Sequence, residues 1–327
     1  MHNVAEMEIL ANILFIIIGM LLLGVVVLSV AGVAAVFGAS FRLFFLKGLW
    51  CLWIVPLLWG YGTLIERNQF RINKVDIESE TLPESFHNFT IVHISDLHLI
   101  SFKKRGEFLQ KLVNKINEQN ADIIAFTGDL VSFGPEELDG LDTILMKIKS
   151  REGVFSVLGN HDYSVYTDLS QSAQKENVEQ LKIRQKEMGW HLLLDENFSL
   201  SHDDGKISLI GVENISVHSH FNSYGNLPQA MQGADGDYKI LLSHDPTHWR
   251  KEVVAQTEID LTLSGHTHAM QFSINGWSPS SFMYKEYRGL YTQGKQNLYV
   301  NIGLGETVLR PRIGAKPEIT VLTLKRK

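Results

Sequence analysis

Residues 9–41 contain no Asp, Glu, Lys or Arg. A run that long exceeds the roughly 20 apolar residues needed to cross a bilayer. In lipid the backbone must satisfy its own hydrogen bonds, so the run is expected to be helical. We read a membrane helix over about residues 9–38. A cleaved leader would need a basic start and an apolar stretch of only about 7–15 residues, and here the start carries Glu6 and Glu8. Residues 48–65 form a second uncharged run, with Trp50, Trp53 and Trp59 and an internal Pro56. It either crosses again or lies in the interface, where tryptophan concentrates. Residues 1–68 therefore read as an anchor with one or two spans, and residues 69–327 as a separate domain.

Charge beside the apolar runs sets the expected orientation. The first run has no Lys or Arg before it, while Arg42, Lys47, Arg67, Arg71 and Lys74 follow it. With one span, all of these cations lie on its carboxyl side and the following domain is cytoplasmic; with two spans, Arg42 and Lys47 oppose the other three. The balance leans towards a cytoplasmic domain.

The mean hydropathy near zero thus averages two populations. A net charge of -6 and the lack of a basic cluster argue against a nucleic-acid partner. The single cysteine, Cys51, excludes an intramolecular disulfide and a cysteine-based zinc site.

The 69–327 region alternates short apolar runs with helical periodicity. Strands are expected at 71–77, in the run 91–98 that delivers Asp96 and His98 to its carboxyl-end loop, at 121–126 and at 153–158, and amphipathic helices at 105–119, 136–150 and 175–189. Such alternation indicates βαβ units around a mostly parallel sheet. Further strands are expected at 207–212, 239–242 and 259–263, with a helix opening at Pro246. Residues 216–237 read as a long loop, and strands at 298–302 and 318–324 as the close of a second, more antiparallel sheet.

Polar residues gather just past five of the apolar runs: Asp96 and His98, Asp129, Asn160 and His161, His244, and His266 and His268. In parallel sheets ligands bind beyond the strand carboxyl ends. Oxygen and imidazole donors suit Mn, Fe or Zn, and this many donors suits two ions sharing a bridging carboxylate. His93 and His248 read as packing or surface groups, and His218 and His220 as solvated loop residues or substrate contacts. Arg310 and Arg312 read as a surface pair flanking Pro311 or as contacts to a substrate phosphate.

The blocks DLH at Asp96, GD at Gly128, GNHD at Gly159, His244 and GHTH at Gly265 occur in the order found in the calcineurin-like metallophosphoesterases, which this chain resembles over about residues 89–268. The resemblance implies a four-layer αββα sandwich with a dinuclear centre. It assigns Asp96, His98 and His268 to one divalent metal, Asn160, His244 and His266 to the other, and Asp129 to a bridge. His161 would contact the phosphoryl oxygens, stabilising charge or protonating the leaving group, and Asp162 would orient its ring. Two adjacent cations acidify a shared water and neutralise the phosphoryl group, so no side-chain nucleophile is required.

With its apolar amino-terminal segment and its DLHL and GHTHAMQ blocks, the chain also resembles the membrane-associated bacterial phosphoesterases. That group includes enzymes that hydrolyse the pyrophosphate of UDP-2,3-diacylglucosamine. The resemblance implies an integral protein of a bacterial inner membrane. Three readings remain open at this level: hydrolysis of a lipid-linked phosphodiester or pyrophosphate, hydrolysis of a soluble phosphoester, and a non-catalytic membrane-proximal scaffold.

Overall fold

The computed structural model describes residues 2–307 and 309–327, with side chains from residue 9 onward. The apolar runs form an antiparallel helical hairpin. α1 (His2–Val36) is followed, after a turn, by α2 (Phe41–Leu49), a 3-10 turn at Trp50–Trp53 and α3 (Ile54–Leu64). Ser40 caps α2 by accepting a hydrogen bond from the Leu43 N–H. Pro56 falls in the first turn of α3, where its missing N–H costs no helical bond.

Phe15 packs on Trp59 with ring centroids 5.3 Å apart. Gly19 lies against Val55 and Gly48 against Val27, so partners ascend one helix as they descend the other. Ile9–Val36 and Phe41–Asn68 are each 28 residues long and apolar enough to cross a membrane. At 1.5 Å per residue each gives about 42 Å of helix, against about 30 Å of hydrocarbon. The second stretch is longer than the uncharged window of 48–65 because the helical path includes Arg42 and Lys47 near the hairpin turn.

The remaining chain builds two six-stranded sheets. The strands, in chain order, are β1 (Arg71–Ser79), β2 (Thr90–Ile94), β3 (Ile123–Thr127), β4 (Val154–Val157), β5 (Trp190–Leu192), β6 (Glu196–His202), β7 (Gly205–Gly211), β8 (Tyr238–Leu242), β9 (Leu261–Ser264), β10 (Gly289–Gln293), β11 (Gln296–Val300) and β12 (Glu318–Arg326). The first sheet has the order β1-β12-β2-β3-β4-β5 and the second β10-β11-β9-β8-β7-β6.

Side-chain alternation along the strands makes the layers. Ile91, Ile123, Ala125, Phe155 and Val157 point into a core shared with Leu209, Ile240, Leu242 and Leu263 of the second sheet. Their neighbours Val92, Ile94, Ile124 and Phe126 pack outward on helices α4 (Gly106–Asn117), α5 (Asp142–Leu145) and α6 (Gln171–Glu187). On the opposite face Ile210, Leu241, Leu298 and Val300 meet α7 (Leu227–Ala230), Trp249 and Val253. Helix, sheet, sheet and helix form the expected four layers.

Two expectations are corrected, the place of β12 and the helix over 136–150. β12 belongs to the first sheet, parallel to β1 and antiparallel to β2; being buried on both faces, it sits as a central strand whose partners are distant in sequence. The second sheet is the more antiparallel of the two, as expected: β6 and β10 run antiparallel to their neighbours, against the single β12–β2 pair of the first sheet, while β7, β8, β9 and β11 run together. The helix expected over 136–150 breaks into a 3-10 turn at Pro135–Leu138 and the short α5. Gly140 interrupts it with a φ of 76°, and the Glu137 side chain turns inward to accept hydrogen bonds from the N–H groups of Ile100, Ser132 and Phe133.

Candidate metal centre

The parallel strands of both sheets deliver their carboxyl ends to one edge, and the polar clusters meet there. Asp96 and His98 follow β2, Asp129 follows β3, Asn160 and His161 follow β4, His244 follows β8, and His266 and His268 follow β9. Main-chain bonds lace the loops together: Asp96 N–H donates to Gly128 O at 2.9 Å, His98 N–H to Asp129 O at 3.1 Å and Gly265 N–H to His244 O at 2.9 Å. Gly159 has no room for a side chain, because a Cβ there would strike the Asp129 carboxylate. A Cβ at Gly265 would likewise strike that of Asp96.

Two groups of electron-pair donors result, Asp96 with His98 and His268, and Asp129 with His244 and His266, each with all its donor atoms within 4.8 Å of one another. In the first, His268 Nε2 lies 3.2 Å from Asp96 Oδ1 and 3.1 Å from His98 Nε2. Asp129 Oδ2 stands between the groups, 3.5 Å from His98 Nε2 and 3.2 Å from His244 Nε2. Asn160 Oδ1 joins the second group, 3.1 Å from His244 Nε2 and 2.8 Å from His266 Nδ1.

The hydrogen-bond pattern indicates what the cluster fits. His244 Nδ1 faces the Thr127 carbonyl at 2.8 Å. A carbonyl only accepts, so Nδ1 carries hydrogen and Nε2 is left to meet two oxygen acceptors. Burial lowers the pKa of His244, but Asp129 outweighs it and raises the pKa to about 10, so without another cation the ring takes up a proton. A divalent cation relieves the same repulsion with greater charge. Burial opposes ionisation of Asp96, yet His268 and His244 hold its pKa below the usual carboxylate range. Burial keeps His98 well below its ordinary value and His266 at about 4, leaving neutral rings suited to metal ligation.

Asp96, His98, Asp129, His266 and His268 all have positive φ. Left-handed backbone costs an L-residue about 1–2 kcal/mol. Such strain persists only where the surroundings fix it, and it concentrates at functional sites.

His161 lies beside the cluster, its ring 4.9 Å from that of His98. Its Nδ1 meets the Ser132 carbonyl at 3.1 Å, which corrects the expectation that Asp162 orients the ring. The Asp162 carboxylate accepts hydrogen bonds from the N–H groups of Asp129, Leu130, Val131 and Gly159. Burial and the Asp129 charge push its pKa up to about 7, while the Gly159 and Val131 amides work against them.

His93 and His248 are buried; His93 Nε2 pairs with Thr127 Oγ1 and His248 Nδ1 with Ser243 Oγ. His218 and His220 stack with ring centroids 5.5 Å apart, and His218 also meets Tyr284 at 5.3 Å. Arg312 is not a surface group. It is fully buried, donates to the carbonyls of Ile302, Gly305 and Ala315, and lies 3.3 Å from His268 Nδ1.

Several positioning groups carried no sequence signal. Ser132 Oγ meets His98 Nδ1 at 3.0 Å, Tyr166 accepts from Asn160 Nδ2 at 2.8 Å, and Tyr284 meets His266 Nε2 at 2.9 Å. Asn301 did have one, since it follows an apolar run like the other site residues. It accepts from Ser95 Oγ and the Gly303 N–H and donates to the His93 carbonyl.

Comparison with known proteins agrees with this geometry. The family profile described as calcineurin-like phosphoesterase matches residues 89–270. The uncharacterized metallophosphoesterase YkuE of Bacillus subtilis is 31% identical, over 82% of this chain and 90% of its own length. A Bos taurus transmembrane protein with metallophosphoesterase domain is 29% identical, over 78% of this chain and 57% of its own length. The UDP-2,3-diacylglucosamine pyrophosphatase LpxG of Chlamydia muridarum is 27% identical, over 81% of this chain and 92% of its own length.

Proposed function

Because the chain belongs to the calcineurin-like phosphoesterase family, and so is a metal-dependent phosphoric ester hydrolase, we propose that it is a membrane-anchored enzyme that cleaves a phosphodiester or pyrophosphate in a lipid-linked substrate. The observation carrying the chemistry is the convergence of two donor groups around Asp129 at the strand carboxyl ends. Asp96, His98 and His268 would hold one divalent metal, Asn160, His244 and His266 the other, and Asp129 both.

Two bound cations supply Lewis acidity, neutralising phosphoryl charge and acidifying water. The protein's own residues do the rest. The Ser132 carbonyl keeps hydrogen on His161 Nδ1, leaving Nε2 as the atom that exchanges a proton or hydrogen bond with the phosphoryl group. Tyr166 fixes the amide of Asn160 so that its oxygen faces inward, and Asp162 holds the loops bearing Asp129 and Asn160 together. Residues 1–68 would form the anchor, with the catalytic domain on the cytoplasmic face of a bacterial inner membrane. Support for the lipid-linked substrate comes from two apolar helices adjoining the domain and from the likeness to a UDP-2,3-diacylglucosamine pyrophosphatase.

Purified full-length protein loaded with Mn²⁺ should hydrolyse bis-p-nitrophenyl phosphate. His161→Ala should lower turnover by about 10²–10⁴ while retaining metal, whereas Asp129→Asn should lose both turnover and metal by elemental analysis. A wild type inactive with Mn, Fe, Zn and Mg would sink the catalytic reading. Release of UMP from UDP-2,3-diacylglucosamine tests the substrate, and its absence would remove that lipid.

A further inference from the structure

Residues 269–284 lie immediately after the GHTH block and contain no Asp, Glu, Lys or Arg. The segment nevertheless exposes Met270, Ile274, Trp277, Phe282 and Met283, with Phe282 82% exposed. Scattered exposed apolar residues are ordinary, but here Trp277 and Phe282 meet edge to face with ring centroids 6.0 Å apart, so the exposed side chains include a joined aromatic pair.

The position of this surface points to its occupant. His268, Ala269, Met270 and Gln271 all have positive φ, and Gln271 pins the turn by donating to the carbonyls of Leu309 and Pro311. The Ser273 N–H then donates to Ile313 O, and the Ile313 N–H to Gln271 O. Residues 311–313 press on Gly62 of α3, where a Cβ would contact Pro311, the Arg312 carbonyl and Ile313. The neighbouring Arg310 N–H donates to Asn12 Oδ1 of α1. The exposed segment is therefore rooted where both apolar helices leave the domain.

Its other end reaches the donor cluster. Tyr284 bonds His266 Nε2 at 2.9 Å, Thr267 Oγ1 donates to Tyr287 O at 2.6 Å and Ser278 Oγ to Ala269 O at 2.5 Å.

We propose that residues 270–283 form a second membrane-contacting surface, seated in the bilayer interface beside the metal centre, through which the centre takes a phosphoester amphiphile from the membrane plane. This rests on the membrane-anchored reading of α1 to α3. Trp277 suits the headgroup level, where tryptophan is enriched, and Ile274, Phe282 and Met283 suit the acyl boundary. The absence of charge removes the main cost of such seating.

The test uses full-length protein in phosphatidylcholine and phosphatidylglycerol vesicles. In a Cys51→Ser background, single cysteines at Trp277→Cys, Phe282→Cys and the exposed control Ile183→Cys carry a fluorophore. Labels at 277 and 282 should be quenched by lipid-borne nitroxide and shielded from iodide, with the label at 183 showing the reverse. Iodide quenching at 282 equal to that at 183 would overturn the proposal. So would energy transfer between labels on separate copies without lipid quenching, which assigns the surface to a second copy.

A kinetic readout separates this proposal from the catalytic reading. Phe282→Ser should leave hydrolysis of soluble bis-p-nitrophenyl phosphate within about twofold while lowering kcat/KM on a vesicle-borne phosphodiester about tenfold or more. Equal loss on both substrates overturns the proposal. Lipid quenching in a protein inactive on every ester would uphold the surface and defeat only the catalytic reading.

Discussion

Asp162 shows how much a single carboxylate can organise. It accepts backbone N–H groups from the loop after β3 and the loop after β4, the loops that carry Asp129 and Asn160. Asp162→Asn would leave only one accepting oxygen and turn an NH2 group towards donors. Leaving buried amides unsatisfied costs about 1–3 kcal/mol, so the variant should unfold at lower urea concentration and bind metal more weakly. His161→Ala should change neither property, because the His161 side chain bonds the Ser132 carbonyl and takes no part in the Asp162 clamp. An unchanged unfolding midpoint in Asp162→Asn would refute this clamp. The DLH, GD and GNHD blocks were legible because each places donors just after an apolar run. Ser132, Tyr166 and Tyr284 were not, because their roles arise from contacts between segments far apart in sequence.

Glu137 links two elements and breaks a third. It holds the loop after His98 to the loop after Asp129, and it stands where helical periodicity predicted an unbroken helix over 136–150. Apolar spacing shows which face is buried, but it cannot show that a polar side chain on the helix is drawn away to satisfy amides elsewhere. Burial raises the Glu137 pKa from 4.5 to about 7 despite those hydrogen bonds. A carboxyl whose folded pKa is raised contributes stability that is full below the unfolded pKa and lost as pH rises through the folded pKa. The stability of wild type relative to Glu137→Gln should therefore decline between pH 4.5 and about 7 and level off above that. Urea unfolding of both proteins across this range measures it, and a constant difference would show that Glu137 does not titrate there.

For the whole molecule, the hairpin fixes the relation between its ends. Asn12 of α1 and Gly62 of α3 both meet residues 310–313, and Arg67 pairs with Glu306 at 3.1 Å just beyond α3. If the hairpin spans the membrane, the amino terminus and the catalytic domain share one side, with Arg42 and Lys47 near the opposite end. Arg67, Arg71 and Lys74 on the shared side outnumber Arg42 and Lys47 by only one cation, and the proposed cytoplasmic placement rests on that small excess. Protease added to intact spheroplasts should spare the catalytic domain and should digest it after lysis; digestion before lysis would reverse the orientation. The sequence by itself determined the apolar helices, the alternation of strands and helices, and the donor clusters at strand ends, because period and strand-end position follow from local backbone geometry. Only the tertiary structure decided that β12 enters the first sheet and that the uncharged segment after the GHTH block joins the donor cluster to the helical hairpin. Those outcomes depend on which distant strands and loops can bury and hydrogen-bond one another, a choice set by the assembled fold.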